Sequence, residues 1–316
     1  MSAFILKIIA LTTMLIDHVG AVSAGHIPFY FRIIGRLAFP IFVYLIAEGF
    51  RHTRNPKKFL LRLFIFAIIS EPFFDWSVGR WRNYLAGYSP WTVDFIRNTN
   101  IFYTLFLGGL AIVVFQHLYE MLYSRLTLWG SAESVGRSTY VISRQKRFMT
   151  KMYAHMPNIV SVLLAALPVF IFMFAADTLT SDYGGYGVLF IFLMYVVSPK
   201  KLPPQGGEDE EAFDSSNELS QRRRSLFPNK RFTIMPLLVF TIMNLFQHRS
   251  FLTRVMQYGT RDSDSQMFGL VFATLLTVPL IALYNGRRGP SFKLFFYIAY
   301  PAHLFILAIL AYVITF

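Results

Sequence analysis

The sequence predicts an all-α fold, a polytopic transmembrane helical bundle with about nine spans and a cytoplasmic N-terminus. Two observations predict this class: 55% of the 316 residues are hydrophobic while only 15% are charged, and the apolar residues fall into long runs. That much apolar surface exceeds what one soluble core of this length buries. We therefore expect one membrane domain, 1–316, in the cell membrane with the lipid bilayer as its partner.

Nine apolar stretches approach the ~20 residues that cross a bilayer. They lie near residues 3–24, 29–50, 59–74, 101–119, 157–177, 184–198, 232–248, 267–284 and 292–315. The loops after the second, fourth, sixth and eighth stretches hold most of the lysines and arginines, and positively charged loops stay in the cytoplasm. This pattern predicts a multi-pass protein with its N-terminus inside and its C-terminus outside.

The segment 199–231 has the composition of a flexible cytoplasmic linker. It combines Pro-Pro and Gly-Gly with the acidic run 208–211 and the basic run 222–224, a composition that buries too little apolar surface to fold. The net charge of +13 reflects cytoplasmic loops, so we do not expect nucleic acid as a partner. The absence of cysteine excludes thiol nucleophiles and thiolate metal sites.

Ionisable side chains within the apolar stretches predict a polar site inside the membrane. A charge at the centre of a lone transmembrane helix costs about 2.5 to 3.5 kcal/mol, so such residues normally face a protein interior and pair there. Helix rise places one set in the outer half of the bilayer, with the last member near mid-depth: Asp17, His18, Arg32, Arg36, Glu71, Asn100, Asp182 and His303. It places a second set at the inner level: Lys7, Glu48, Arg54, Lys58 and Arg62.

Spacing on the first helix predicts that two of these residues share a wall. Lys7 and His18 are eleven positions apart, which is nearly three full turns, so they face one side about 16 Å apart. Arg32 and Glu71 form a candidate structural ion pair. His303 follows the helix kink at Pro301, where a hydrogen-bonding structural role and a site role are both open. No metal site is expected, because no His and carboxylate pair has specific ligand spacing.

Six blocks of the sequence resemble successive blocks of the TraX family. They are LKIIALTTMLIDHVGAV, FRIIGRLAFPIFVYLIAEGFRHTRN, LLRLFIFAIISEPFFD, NIFYTLFLGGLA, SDYGGYGVLFI and FKLFFYIAYPAHLFIL. The resemblance runs from residue 6 to about residue 307. The family is named for a conjugation protein implicated in the N-terminal acetylation of F pilin, and it resembles integral-membrane acyltransferases that use acetyl-CoA. In that wider set, a basic residue and a histidine with the spacing of Lys7 and His18 are the functional hallmark.

The resemblance implies a membrane-bound acetyltransferase that moves an acetyl group from cytoplasmic acetyl-CoA to an amine or hydroxyl acceptor at the outer side. His18 is then the expected general base. Three carboxyl groups are candidates to orient it: Asp17, Glu71 and Asp182. The candidates to stabilise the oxyanion are Arg32, Arg36 and Asn100. The cations expected to meet the phosphates of the donor are Lys7, Arg54, Lys58 and Arg62. The implied acceptor is a pilin N-terminus, with a peptide or glycan equally compatible.

Two other classes of function stay open from the residues alone. A proton-coupled membrane transporter also lines a pathway with buried Arg, Asp, Glu and His, although no internal repeat is detectable. A non-enzymatic membrane component of a conjugation or secretion assembly needs no charges at membrane depth. Neutral substitution of His18, Arg36 and Glu71 discriminates the last class, and solute flux without acetyl-CoA binding discriminates the transporter.

Overall fold

All regular structure in the described ranges of the computed structural model is helical. The structure describes residues 1–23, 28–79, 83, 87–89, 91–134, 159–197, 238, 273–290 and 292–315. Within these ranges, helices cover every predicted apolar stretch except 232–248, of which only Leu238 is described. The predicted linker 199–231 lies outside the described residues.

The helices follow the predicted stretches closely, with three differences. They are α1 (Ala3–Val22), α2 (Tyr30–Gly35), α3 (Ala38–His52), α4 (Pro56–Ser77), α5 (Ile101–Ser134), α6 (Val169–Thr178), α7 (Gly184–Val197), α8 (Thr277–Ala282) and α9 (Lys293–Thr315). A 3-10 turn at Ala273–Leu276 leads into α8. The second predicted span is divided into α2 and α3, and the fifth is divided at residues 167–168 into a helical segment over 159–166 and α6. The α5 helix continues to Ser134, where a loop was expected from residue 119.

Helix length and composition show a helical membrane protein. Four segments of the described chain are long and apolar enough to cross a membrane: Ala3–Val22, Tyr30–His52, Ile101–Arg125 and Ile159–Thr178. Shorter apolar helices accompany them at Gly184–Val196, Ala273–Ala282 and Leu294–Leu310. At 22 residues α4 also has the length, but it carries several charged residues, including Arg62, Glu71 and Asp75. The nine crossings and the orientation of the termini stay predictions.

Local sequence signals determine where these helices begin and break. The Asn55 side chain accepts a hydrogen bond from the Lys58 amide at 2.9 Å, and Pro56 occupies the start of α4, both favoured choices at a helix N-terminus. Pro40 has no N–H to donate to the carbonyl four residues earlier. The helix is accordingly interrupted at Arg36 and Leu37, which leaves Arg36 at the junction of α2 and α3.

Six helices form a closed ring. In order around it, α1 packs on α3, α3 on α7, α7 on α5, α5 on α4, α4 on α9, and α9 on α1. Glycines allow the close approach of α7 to α5: a Cβ on Gly108 would lie 2.6 Å from Ile191, and one on Gly187 would lie 2.5 Å from Thr104. The α6 helix packs against α5 and α7. The ring brings the first and last of the described helices side by side.

The ring exposes apolar side chains and buries charged ones. On α4, Leu61 and Ile69 are exposed, whereas Glu71 and Asp75 are 0% exposed. Phe174 on α6 is 71% exposed. This inversion is what a lipid-facing surface with a polar interior requires, since a bilayer solvates apolar groups and leaves charges to pair inside the protein.

Candidate active site

The helix ring surrounds a cavity of about 920 Å³. Residues of α1, α3, α4, α5 and α9 form most of its wall, together with Gly35 of α2, the loop between α3 and α4, residues 182–183 before α7 and the loop after α8. Small-molecule sites in proteins usually measure ~300 to 1,000 Å³. The cavity therefore has the volume of a site for one small or cofactor-sized ligand.

One end of the cavity is positively charged, and we call it the basic mouth. Its cationic lining residues are Lys7, Arg54, Lys58, Arg62 and Arg288. Backbone hydrogen bonds hold the loop after α8 against the start of α1: the Phe4 amide donates to the Arg288 carbonyl at 3.1 Å. Lys7 Nζ lies 5.3 Å from the centre of the Phe296 ring, an arrangement suited to cation–π attraction. The mouth thus gathers cations from α1, α4 and two loops.

Glu48 lines the same cavity near this mouth and balances part of its charge. Its carboxylate lies 3.7 Å from Arg51 Nη1 and 3.2 Å from His52 Nε2. Arg51 in turn donates to the carbonyl oxygens of Met194 and Tyr195 near the end of α7. Glu48 therefore belongs to a network that joins α3 to α7, at the level where helix rise predicted it.

The opposite end of the cavity, which we call the histidine end, is lined by Asp17, His18, Asp182, Tyr183 and Tyr300. His18 is 7% exposed, and its ring meets Tyr300 edge-on with centroids 6.2 Å apart. Lys7 and His18 line the same cavity, as their spacing on α1 predicts. One continuous space consequently connects the basic mouth to a buried imidazole.

The partner that the structure gives His18 is a second histidine. His18 Nδ1 and His303 Nε2 are 2.7 Å apart, and the two rings are nearly parallel with an angle of 13° between them. His303 Nδ1 lies 2.9 Å from the Ala299 carbonyl oxygen one turn earlier in α9. The expectation of a carboxylate partner is therefore corrected: a residue from the last helix occupies that position, because α9 packs directly on α1.

Asp17, the residue next to His18, forms an ion pair instead. Its Oδ2 lies 2.8 Å from Arg32 Nη1, which also donates to the Asp17 carbonyl oxygen at 3.0 Å. The predicted pairing of Arg32 with Glu71 is therefore wrong. Consecutive residues on a helix point about 100° apart, which explains why Asp17 reaches Arg32 while His18 faces α9.

Glu71 and Asn100 pair with each other outside the cavity wall. Glu71 Oε2 accepts hydrogen bonds from the Asn100 backbone amide at 3.0 Å and from Asn100 Nδ2 at 2.6 Å. Asn100 Nδ2 also donates to the Ala67 carbonyl at 2.8 Å, and Asn100 Oδ1 accepts from the Phe102 amide at 2.9 Å. These bonds satisfy backbone donors at the start of α5 and fix it to α4. Their geometry is that of a structural junction.

Arg36 does not line the cavity, but it binds Tyr183, which does. Its Nη1 donates to the Tyr183 hydroxyl at 3.1 Å, and the Tyr183 ring stacks on Phe39 at a centroid distance of 3.7 Å. Tyr183 has φ +66° and Gly184 has φ +48°. A bulky residue in the left-handed region is rare and costs backbone energy. The contacts of the Tyr183 ring and hydroxyl with Phe39 and Arg36 stabilise this conformation.

The turn that carries Tyr183 also places a carboxyl group at the histidine end. Burial raises the pKa of Asp182, and the positive charge of Arg36 opposes that shift. Burial also raises the pKa of Tyr183 to about 12, so its hydroxyl keeps its proton at neutral pH. Sequence reasoning missed Tyr183, and the signal for it was the Asp-Tyr-Gly-Gly turn that opens α7.

A family model described as TraX protein matches residues 2–202, which is more than half of the chain. The chain belongs to the TraX family. Its matched region contains Lys7, His18 and the turn before α7, while the block that includes His303 lies beyond the match, although the sequence resemblance ran to about residue 307.

One curated relative of this TraX-family chain is the probable fimbrial assembly protein FimC, serogroup H1, of Dichelobacter nodosus. The two are 33% identical over 116 residues, which are 36% of this chain and 46% of the relative. The match therefore spans less than half the length of that relative. No solved structure matches the chain.

The cavity separates the predicted site residues into two groups. Those that line it are Lys7, Asp17, His18, Glu48, Arg54, Lys58, Arg62 and Asp182. Those that lie behind its wall are Arg32, Arg36, Glu71, Asn100 and His303. The lining residues that sequence reasoning missed include Tyr183, Arg288 and Tyr300. Across the described ranges, no group of three or more His, Asp or Glu side chains is spaced to hold a metal ion.

Proposed function

We propose that this protein is a membrane-bound acetyltransferase that moves an acetyl group from acetyl-CoA to an amine or hydroxyl acceptor. The observation that carries the proposal is the single cavity that joins five cationic side chains to the buried His18. Membership of the TraX family supports it, because that family resembles the acetyl-CoA-dependent membrane acyltransferases.

The shape of the cavity fits a long donor with charge at one end. The basic mouth offers ammonium and guanidinium groups, which bind phosphate oxygens through charge-assisted hydrogen bonds. Phe42, Phe296 and Tyr297 also line the cavity and provide an aromatic wall for an uncharged arm. Along α1 the cavity extends about 16 Å from Lys7 to His18. When bound, the donor supplies an acetyl group activated as a thioester.

His18 performs the proton transfers in this proposal. Its Nε2 accepts the proton of the attacking amine or hydroxyl as the bond from that group to the acetyl carbonyl carbon forms. The same nitrogen then returns the proton to the departing thiolate as the carbon–sulfur bond breaks. An imidazole suits both steps, because its ordinary pKa of ~6.5 lies near neutral pH. The products are the acetylated acceptor and free CoA.

Tyr183 is the group that we assign to the developing oxyanion. Tyr183 lines the cavity, and its hydroxyl accepts a hydrogen bond from Arg36, which polarises the O–H bond for donation to a negative oxygen. Arg36 thus acts through Tyr183 rather than by direct contact. Asp17 and Asp182 place two carboxyl groups at the same end, where they suit the positively charged form of an incoming amine.

The acceptor proposed first is the N-terminus of a pilin. The relative in Dichelobacter nodosus is named as a fimbrial assembly protein, and TraX takes its name from a protein implicated in pilin acetylation. A terminal amine that reaches the histidine end supplies the nucleophile that the chemistry needs. Peptide or glycan acceptors fit the same residues, and we propose entry from the outer side of the cell membrane.

The test is transfer of radiolabelled acetyl from acetyl-CoA into membranes that contain the full chain and its native acceptor pool. We expect label in the unaltered protein, its loss in His18→Ala, and full incorporation in His117→Ala, which changes an exposed histidine on α5. Equal labelling in the unaltered and His18→Ala proteins, both verified as inserted, overturns the proposal. Mass spectrometry of the labelled product identifies the acceptor.

A non-enzymatic role in pilus assembly is the second candidate, favoured by the name of the same relative. It predicts that cells with His18→Ala still form pili, and that pilus formation does not require acetyl-CoA binding by this protein. Pilus counts in cells that carry this variant separate the two functions.

A further inference from the structure

We propose that His303 is a positioning residue that fixes the tautomer of His18, so that Nε2 of His18 is the ring nitrogen with a free lone pair. This inference deepens the proposed function and rests on it for its catalytic meaning. The juxtaposition of the two histidines stands by itself as geometry: the first and last described helices contribute one imidazole each.

The Ala299 carbonyl determines where the proton of His303 lies. A backbone carbonyl oxygen accepts hydrogen bonds and cannot donate them. Because His303 Nδ1 lies 2.9 Å from that oxygen, Nδ1 must carry the proton. A neutral imidazole has one N–H and one lone pair, so the remaining nitrogen of His303, Nε2, is an acceptor.

That acceptor in turn determines the proton of His18. His18 Nδ1 is 2.7 Å from His303 Nε2, and a hydrogen bond of this length needs one donor and one acceptor. With His303 Nε2 accepting, His18 Nδ1 donates. The opposite tautomer would set two lone pairs against each other at this distance. His18 therefore carries its proton on Nδ1, and its Nε2 is unprotonated.

The position of the pair relative to the cavity makes this tautomer useful. His18 lines the cavity and His303 does not, so the Nδ1 edge of His18 is occupied behind the wall and the Nε2 edge is the one left for a ligand. A general base needs a lone pair within hydrogen-bond reach of the proton it removes. The two hydrogen bonds, from His303 to the Ala299 carbonyl and from His18 to His303, leave the lone pair of His18 on Nε2, the nitrogen available to the cavity.

A neutral partner differs chemically from a carboxylate. The aspartate of a serine-protease triad both fixes the tautomer of its histidine and stabilises the imidazolium. His303 supplies the first effect without adding a negative charge. We therefore assign it to orientation and tautomer selection.

The experiment reads the tautomer directly in the full chain, purified in detergent with ¹⁵N-labelled histidine. Nitrogen chemical shifts distinguish protonated from unprotonated ring nitrogens, and His18→Ala assigns the signals. We expect a protonated Nδ1 and an unprotonated Nε2 at His18. In His303→Leu, which removes the acceptor, we expect a mixture of tautomers. In His303→Gln, whose amide oxygen can accept from Nδ1, we expect the original tautomer.

Acetyl transfer provides the second readout. We expect His303→Leu to lower kcat several-fold, in proportion to the fraction of His18 left in the reactive tautomer, with KM for acetyl-CoA unchanged. His303→Gln should recover most of that loss, and His117→Leu should have no effect. Protonation of His18 at Nε2 in the unaltered protein, or an unchanged tautomer in a folded His303→Leu variant, overturns the inference. Because the nitrogen shifts need no turnover, failure of the acetyltransferase function alone leaves this arm readable.

Discussion

Gly35 lies directly against Asp17. A Cβ added at residue 35 would come within 2.1 Å of the Asp17 Cβ and 2.4 Å of its Oδ1. The junction of α2 and α3 therefore presses on the carboxylate that pairs with Arg32, and only a residue without a side chain fits between them. Backbone packing, and not the ion pair alone, fixes the position of Asp17 beside His18.

We predict that Gly35→Ala destabilises the protein by about 1 to 3 kcal/mol, the usual cost of overpacking a close contact. The displaced Asp17 side chain should also disturb the histidine end, so acetyl transfer should fall more than stability alone explains. Thermal unfolding in detergent, measured beside labelled-acetyl transfer, checks both effects.

Gly49→Ala is the matched control for this change. Gly49 is another helical glycine, but a Cβ there would meet only the Phe59 ring, at 3.3 Å, and a ring can move by a few tenths of an ångström. Its effect on unfolding should be the smaller one. Equal losses in the two variants would contradict the role assigned to the Gly35 contact.

The ion pair between Asp17 and Arg32 is predicted to be energetically coupled. The two side chains are 16% and 26% exposed, so the pair is only partly screened by solvent. A double-mutant cycle of Asp17→Asn and Arg32→Gln should give a coupling energy of about 1 kcal/mol. Unfolding of the two single variants and the double variant measures it, and strictly additive losses would refute the coupling.

Glu71 is predicted to matter for stability and not for chemistry. Glu71→Ala leaves two buried donors of Asn100 without their acceptor, and each buried unsatisfied group costs about 1 to 3 kcal/mol. We expect less inserted protein and a lower unfolding temperature, with unchanged kcat for the molecules that fold. Normalising activity to folded protein makes the distinction. A large fall in kcat for folded Glu71→Ala would contradict this prediction and indicate a role for Glu71 in the reaction.

The basic mouth is predicted to act in donor binding. Lys58→Gln combined with Arg62→Gln should weaken CoA binding at least about ten-fold, since a hydrogen bond to a charged group contributes about 1.5 to 3 kcal/mol. The effect should shrink at high salt, which screens exposed charges. Calorimetric titration of CoA into the purified protein checks this expectation.

Lys57→Gln is the control for the mouth. Lys57 is exposed on the same first turn of α4 but does not line the cavity. It removes one charge from the surface without touching the lining, so CoA affinity should stay within about two-fold of the unaltered protein, a change under ~0.5 kcal/mol. Weakening as large as in the double variant would mean that the mouth attracts anions only through its overall charge.

Relationships within one helix could be predicted from the sequence, whereas most relationships between helices could not. The rise and turn of α1 correctly placed Lys7 and His18 on one side, because these quantities depend on backbone geometry alone. Depth in the membrane likewise brought Asp17 and Arg32 to a common level. Depth does not show which helices are neighbours, so the sequence allowed Glu71 as a partner for Arg32. In the structure, helix packing places Asn100 against Glu71, and Arg32 pairs with Asp17.

The histidine pair shows the same limit more strongly. His18 and His303 are 285 positions apart, and no local pattern connects residues at that separation. Tyr183 escaped notice for a different reason. Its position depends on a left-handed backbone conformation that a tyrosine rarely adopts, and the glycine that follows it was the sole local hint.

The closure of the ring by α1 and α9 has a consequence for biogenesis. His18 is synthesised and inserted early, and it stays without its partner imidazole until the ribosome has passed residue 303 and α9 has docked. A truncated chain that lacks α9 would retain the basic mouth and His18 but leave the proton of that ring free to occupy either nitrogen. The reactive tautomer would then be a property of the completed protein, and fragments left by interrupted synthesis would be poor catalysts.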